Sequence, residues 1–161
     1  MVDFRGTMLC FECAATNRQD YSHQGNVSQL TNDEKCQALC INVESAKVAC
    51  ENYADAYRLI ARQLVEAAER CLPDSWLARA GLGFINSEIP GALLGGLLAR
   101  WAAHHENTVL VIDEIDSLVG DSLVSVLSQI RTGHANRPHA FPMSVILCGV
   151  RYVRDYRIKI R

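Results

Sequence analysis

The sequence predicts an α/β domain of three layers, α/β/α, built on a parallel sheet. Residues 108–112 (TVLVI) and 144–150 (SVILCGV) have no polar face. A strand apolar on both sides belongs in a sheet covered on both sides, as parallel sheets are. Between such runs lie segments whose apolar residues recur every three or four positions, which is the stripe of a helix. The two kinds of segment alternate as strand, helix, helix, strand, helix, strand, the order of a parallel α/β fold.

Each element has its own signal. Residues 38–43 (ALCINV) form a short apolar run suited to a buried strand, after which Asn42 and Ser45 can cap a helix start. Tyr57, Ile60, Leu64, Ala68 and Cys71 then trace one helical stripe, and Pro73 stops it. A loop is expected around Gly81 and Gly83. Ser87 is the expected cap of a second helix, with Pro90 in its first turn and Leu94, Leu97, Leu98 and Trp101 on its buried side. His104–Asn107 ends that helix, and Thr108–Ile112 is the first fully apolar strand. Leu123, Val126, Leu127 and Ile130 mark a third helix, starting near Asp121 or Ser122 and closing at Gly133. A polar loop, HANRPHAFP, leads to the strand at Ser144–Val150.

Residues 1–35 read differently. They are polar and irregular, with a short strand expected near Met8–Ala14, and they are set apart from a core running over 36–161.

Hydrophobic residues make up 49% of the 161 positions, enough for one domain with a real core. A formal net charge of −2 gives no overall pull toward nucleic acid or membrane surfaces. The N-terminal MVDFRGTML lacks the basic-then-apolar build of a signal peptide. The longest apolar stretch, roughly residues 89–99, is broken by Gly and Pro and falls short of the ~20 residues a bilayer span needs. A cytoplasmic protein with no membrane partner is expected.

Cys10-x-x-Cys13 and Cys36-x-x-x-Cys40 invite a zinc reading, but Cys40 opens a strand-like run, whereas structural zinc pairs sit on tight turns. Cys71 and Cys148 fall inside apolar patterns and read as small core residues. Reduced, mostly buried thiols are expected instead. The histidines flank loops without metal spacing.

The chemistry concentrates where the apolar strand meets Asp113, Glu114 and Asp116. An acid at such a strand end is rigidly mounted and can hold Mg²⁺ through water, because that ion keeps most of its hydration and needs only one or two carboxylates. Glu114, one residue on, is expected on the other side of the strand, where it could orient and deprotonate a water. The bland reading is a solvated loop whose acids favour a helix N-terminus.

The stretch VLVIDEIDSLVGDSLVSVLSQIRTG, with the following RPHAFPMSVILCGVRYVRDYRI, resembles the Walker B to sensor 1 region of bacterial AAA-like ATP-binding proteins of the AAA+ class. The likeness is dense over residues 108–158 and extends over roughly 36–160, where QALCINVESA is similar to that family's second strand. It implies a P-loop NTPase core with Mg-ATP at the strand tips. On that resemblance Asp113 is the cofactor-binding and metal-side acid, holding Mg²⁺ through water, with Asp116 a lesser metal ligand. Glu114 is the catalytic, water-activating acid. The sensor 1 position falls at Cys148-Gly149-Val150, and Arg151, next in line, is the residue placed to contact nucleotide. Tyr152 stands where the family has an acid.

The sequence departs from the family in one decisive way. A P-loop needs G-x-x-x-x-G-K-[ST], whose amides and lysine cradle phosphates. No such motif occurs, and none of the three lysines, Lys35, Lys47 and Lys159, follows a suitable glycine. A loose alignment sets Asp20, Tyr21 and Ser22 where the family's last Gly, Lys and hydroxyl would be, so 1–35 reads as a degenerate P-loop region. An aspartate there would repel a triphosphate. The family's fifth strand, lid and sensor 2 arginine also have no counterpart before Arg161. The expectation is therefore an incomplete ATPase core with weak or absent ATP binding and no hydrolysis of its own.

Two other classes stand beside it. The core could serve as a non-enzymatic module docking to homologous ATPase subunits. DEID also fits the D-E-x-D pattern of nucleic-acid-dependent ATPases, although no Ser-Ala-Thr-like motif follows the next strand. Five basic residues in the last eleven (Arg151, Arg154, Arg157, Lys159, Arg161) allow a nucleic-acid contact. Their alternation with Tyr156, Ile158 and Ile160 fits an amphipathic edge strand better.

Overall fold

Among the described residues, four parallel strands and four helices make up this computed structural model, which describes residues 10–12, 36–49 and 52–149. The strands are β1 (Cys10–Glu12), β2 (Gln37–Asn42), β3 (Thr108–Asp113) and β4 (Ser144–Gly149). Their order across the sheet is β1-β4-β3-β2, and every pairing is parallel. β1 falls within the strand expected near Met8–Ala14. The remainder of 1–35, Arg151, Tyr152 and the alternating tail lie outside the described residues.

Alternation along the strands sorts side chains to the two faces. Leu39 and Ile41 of β2, Leu110 and Ile112 of β3, and Val145 and Leu147 of β4 join the main core with the helices. Cys36, Ala38, Val109, Val111 and Cys148, with Cys40 and Ile146 packed on them, form a separate cluster on the opposite face. Both faces of β3 are buried, as its unbroken apolar run requires. All described helices contribute to the first cluster, so the described residues show the sheet and one helical layer.

Between β2 and β3 the chain makes three helices, one more than the sequence pattern indicates. Asn42 Oδ1 accepts from the Glu44 amide at 2.8 Å, but the turn it starts is a 3-10 segment, Glu44–Ala49. The long helix α1 (Tyr53–Cys71) has its own cap. Asn52 Oδ1 accepts from the amides of Ala54 and Asp55, while its Nδ2 donates to the Asp55 carboxylate at 2.7 Å. Ile60, Ala61, Leu64 and Ala68 face the core. Cys71 is exposed, not a core residue as its place in the stripe suggested, because α1 ends there and Leu72 turns inward in its stead.

The expected loop around Gly81 and Gly83 is a helix, α2 (Trp76–Ser87), capped by Ser75. Helix propensity is a weak preference that packing overrides. A Cβ at Gly81 would lie 2.6 Å from Val65 Cγ2, so the bare glycine lets α2 press against α1. Ser87 closes α2 and caps nothing; its hydroxyl donates back to the Phe84 carbonyl at 3.1 Å. Helix α3 (Pro90–His104) begins with Pro90 in its first turn and buries Leu93, Leu94, Leu97, Leu98 and Trp101. The Trp101 indole donates to Gln37 Oε1 at 2.8 Å, tying α3 to the start of β2.

After β3 comes α4 (Gly120–Gly133), whose buried positions are Ser122, Leu123, Val126 and Ile130. Gln129 on its outer side grips α3, accepting from the Gly95 amide at 2.8 Å and donating to the Gly91 carbonyl at 2.7 Å. In the loop to β4, Arg137 donates to the carbonyls of His134 and Met143. Phe141, 1% exposed, packs directly on Gly133. Among the described residues no helix is long and apolar enough to cross a membrane.

Candidate functional site

In a parallel α/β sheet, ligand chemistry gathers outside the carboxyl ends of the strands. Here those ends bring together residues from three strands. Asn42, last in β2, pairs in register with Asp113, last in β3. Ile112 pairs with Leu147, two residues before the end of β4 at Gly149.

Asp113 is partly buried, and its Oδ1 accepts from the Glu114 amide at 2.9 Å. Its carbonyl accepts from the Val43 amide at 3.0 Å, one step beyond the regular β2–β3 ladder. Strand geometry stops there. Glu114 has φ 56 and ψ 37, the left-handed region that non-glycine residues seldom occupy. Its direction is set by this turn, so the two-sided alternation expected from the sequence does not extend past Asp113.

A 3-10 turn, Ile115–Ser117, follows, closed by Ser117 N–H to the Glu114 carbonyl at 2.9 Å and Leu118 N–H to the Ile115 carbonyl at 3.2 Å. Ile115 and Leu118 are buried and anchor the loop in the core. The Ser117 hydroxyl donates to the Val43 carbonyl at 3.0 Å. Asp116 lies over the end of β4, where a Cβ added to Gly149 would meet its Oδ1 at 2.8 Å.

Asp113, Glu114 and Asp116 thus share one short loop, and Glu44 joins them from the end of β2. Burial pushes the Glu114 carboxyl pKa up, and the charges of Asp113, Asp116 and Glu44 push it the same way. A raised pKa favours the proton-carrying form, a property of acid–base groups and of crowded carboxylates alike. On the far face, Cys40 is pushed up to about 11 by burial, then by Asp113 and Cys71. It is a protonated thiol at neutral pH. Cys36 is raised by burial as well.

Among the described residues no three His, Cys, Asp or Glu side chains converge to hold a metal ion. Arg151 lies outside the described residues.

Sequence reasoning placed Asp113, Glu114 and Asp116 together, set Gly149 at the tip of the neighbouring strand, and missed Glu44 and Ser117. Glu44 had a signal, since it stands two residues past a strand that must lie beside β3. Ser117 had none, because its role depends on a contact made across to Val43, and the contact of Gly149 with Asp116 was likewise not legible.

Comparison with protein-family models, with curated proteins and with solved structures finds no match to this chain.

Proposed function

We propose that this chain carries the strand-end half of a Mg²⁺–nucleotide site of the P-loop NTPase kind, in a three-layer core resembling bacterial AAA-like ATP-binding proteins. As it stands it binds ATP weakly or not at all and does not hydrolyse it. The observation that carries the reading is Asp113, a carboxylate fixed at the end of a strand buried on both faces, with a neighbouring strand on each side.

Bound Mg²⁺ would neutralise charge on the phosphate oxygens and so ease attack of a water on phosphorus. Asp113 is the residue to hold it, through water. Glu114, whose pKa is raised, is the group to orient a water and take its proton. Asp116, turned onto Gly149, belongs to the wall of the site more than to its metal. Four carboxylates at one end of a sheet repel one another, and a divalent cation relieves that repulsion. A triphosphate without a lysine-bearing loop has no such attraction, which is why binding is expected to be weak.

A second use of the same core is docking to a homologous ATPase subunit. Its support is the exposure of large apolar side chains, Ile89 at 67% and Leu82 at 51%.

The test is a titration with a fluorescent ATP analogue and Mg²⁺ on the wild-type chain and on Asp113→Asn. No saturation is expected at micromolar concentration. Micromolar binding lost in Asp113→Asn would keep the site and overturn the inactivity. Micromolar binding indifferent to Asp113 would remove the site itself.

A further inference from the structure

The loop that holds Asp113 and Glu114 is fastened at both ends to one residue. Val43, fully buried just past β2, donates its amide to the Asp113 carbonyl at 3.0 Å and accepts the Ser117 hydroxyl on its own carbonyl, also at 3.0 Å. The amide nitrogen and carbonyl oxygen of a single residue are only about 3–4 Å apart by standard backbone dimensions. Four residues of extended chain would carry Ser117 roughly 13 Å beyond Asp113. The chain must therefore reverse within residues 114–116.

It does so with a left-handed residue followed by a 3-10 turn, and the left-handed residue is Glu114 at φ 56. Glycine is the usual occupant of such a position, having no Cβ to strain. A glutamate persists there only where its surroundings over-determine the backbone. Burial of Ile115 and Leu118 fixes that the loop docks. It does not by itself fix where the turn begins, because hydrophobic contact is non-directional. The hydrogen bond from Ser117 is directional and sets the register of the turn against β2.

We infer that Ser117 is a positioning residue: its hydroxyl, held by the same Val43 that holds Asp113, sets the left-handed conformation of Glu114 and so aims that carboxylate at the strand ends. The value of this aim rests on the nucleotide-site reading; the geometry does not.

The experiment reads the backbone directly, by NMR of the full chain. In the wild type, the Cα and Cβ shifts of Glu114 carry the left-handed signature. Ser117→Ala is expected to lose that signature or split it among conformers, with the resonances of β3 and β4 unmoved. Ser117→Thr, which keeps the hydroxyl, is expected to restore it. A left-handed Glu114 in Ser117→Ala overturns the inference, and so does loss of the signature in Ser117→Thr. Should Ser117→Ala fail to fold, the wild type still decides. The Ser117 hydroxyl proton, shielded by its carbonyl partner, is expected to exchange slowly enough to show a cross-peak to Val43, and its absence in the cold contradicts the claim. No nucleotide enters these measurements, so the nucleotide reading can fail while this one stands, and the reverse.

Discussion

Gly149 and Asp116 occupy one niche. A Cβ on Gly149 at the end of β4 would lie 2.8 Å from Oδ1 of Asp116 and 3.3 Å from Ile115 Cγ2. The loop after β3 thus rests on the tip of β4 because that tip carries no side chain. Gly149→Ala is expected to destabilise the protein by about 1–3 kcal/mol, the usual cost of overpacking a close contact. In an Asp116→Ala background the same substitution should cost about 1 kcal/mol less, since the obstructing carboxylate is gone. A double-mutant cycle by urea unfolding measures the difference, and strict additivity would contradict the shared niche.

Glu114 is expected to be held at a cost in stability. Its left-handed backbone is unfavourable for a residue with a Cβ by about 1–2 kcal/mol, and three neighbouring carboxylates add repulsion. Glu114→Gly should therefore stabilise the fold by up to about 1 kcal/mol, after the greater freedom glycine gives the unfolded chain is deducted. Glu114→Ala keeps the strained φ and should stabilise less. Chemical denaturation of the two variants separates strain from charge. A Gly variant less stable than the Ala variant would show that Glu114 is not strained.

The Cys40 thiol makes stability fall at alkaline pH. Its unfolded value is 9.0 and its folded value about 11, so the folded state holds the proton more tightly. The contribution is complete below pH 9 and is lost as pH rises through 11, by about 1–2 kcal/mol once partial exposure is allowed for. Melting temperatures followed from pH 8 to pH 11 should fall more steeply for the wild type than for Cys40→Ala. Parallel curves would assign the fall to other groups.

Gln129 joins α4 to α3 by gripping Gly91 and Gly95. Gln129→Leu should cost about 1 kcal/mol, because solvent can replace part of what is lost at this half-exposed site. Gln129→Glu should cost more, since a carboxylate has no hydrogen to give the Gly91 carbonyl. Amide exchange at Gly95 should quicken in both variants. An unchanged rate would mean that the α3 ladder holds that amide without help.

What could be read in the sequence was what depends on local pattern. β3 and β4 are unbroken apolar runs, and the stripes of α3 and α4 have the helical period, so all four could be placed before any contact was known. α2 could not, because Gly81 and Gly83 look like loop residues until Val65 is seen against Gly81. Cys71 looked buried because it continued a stripe, yet α1 ends at that residue. The site divides the same way. Asp113 and Glu114 announce themselves as acids ending an apolar strand. Ser117 joins them through its bond to Val43 beyond β2, and Asp116 meets Gly149 through the pairing of β4 with β3, contacts that the order of residues alone does not display.

In the proposed function, the carboxyl ends of β2, β3 and β4 form one cation-attracting site around Asp113. Titrating Mn²⁺ into the ¹⁵N-labelled protein probes this site, because a bound paramagnetic ion broadens only nearby amides. Selective broadening is expected at residues 42–44, 113–117 and 149, removed by competing Mg²⁺ and abolished in Asp113→Asn. Broadening centred elsewhere, or unaffected by the loss of Asp113, would contradict it.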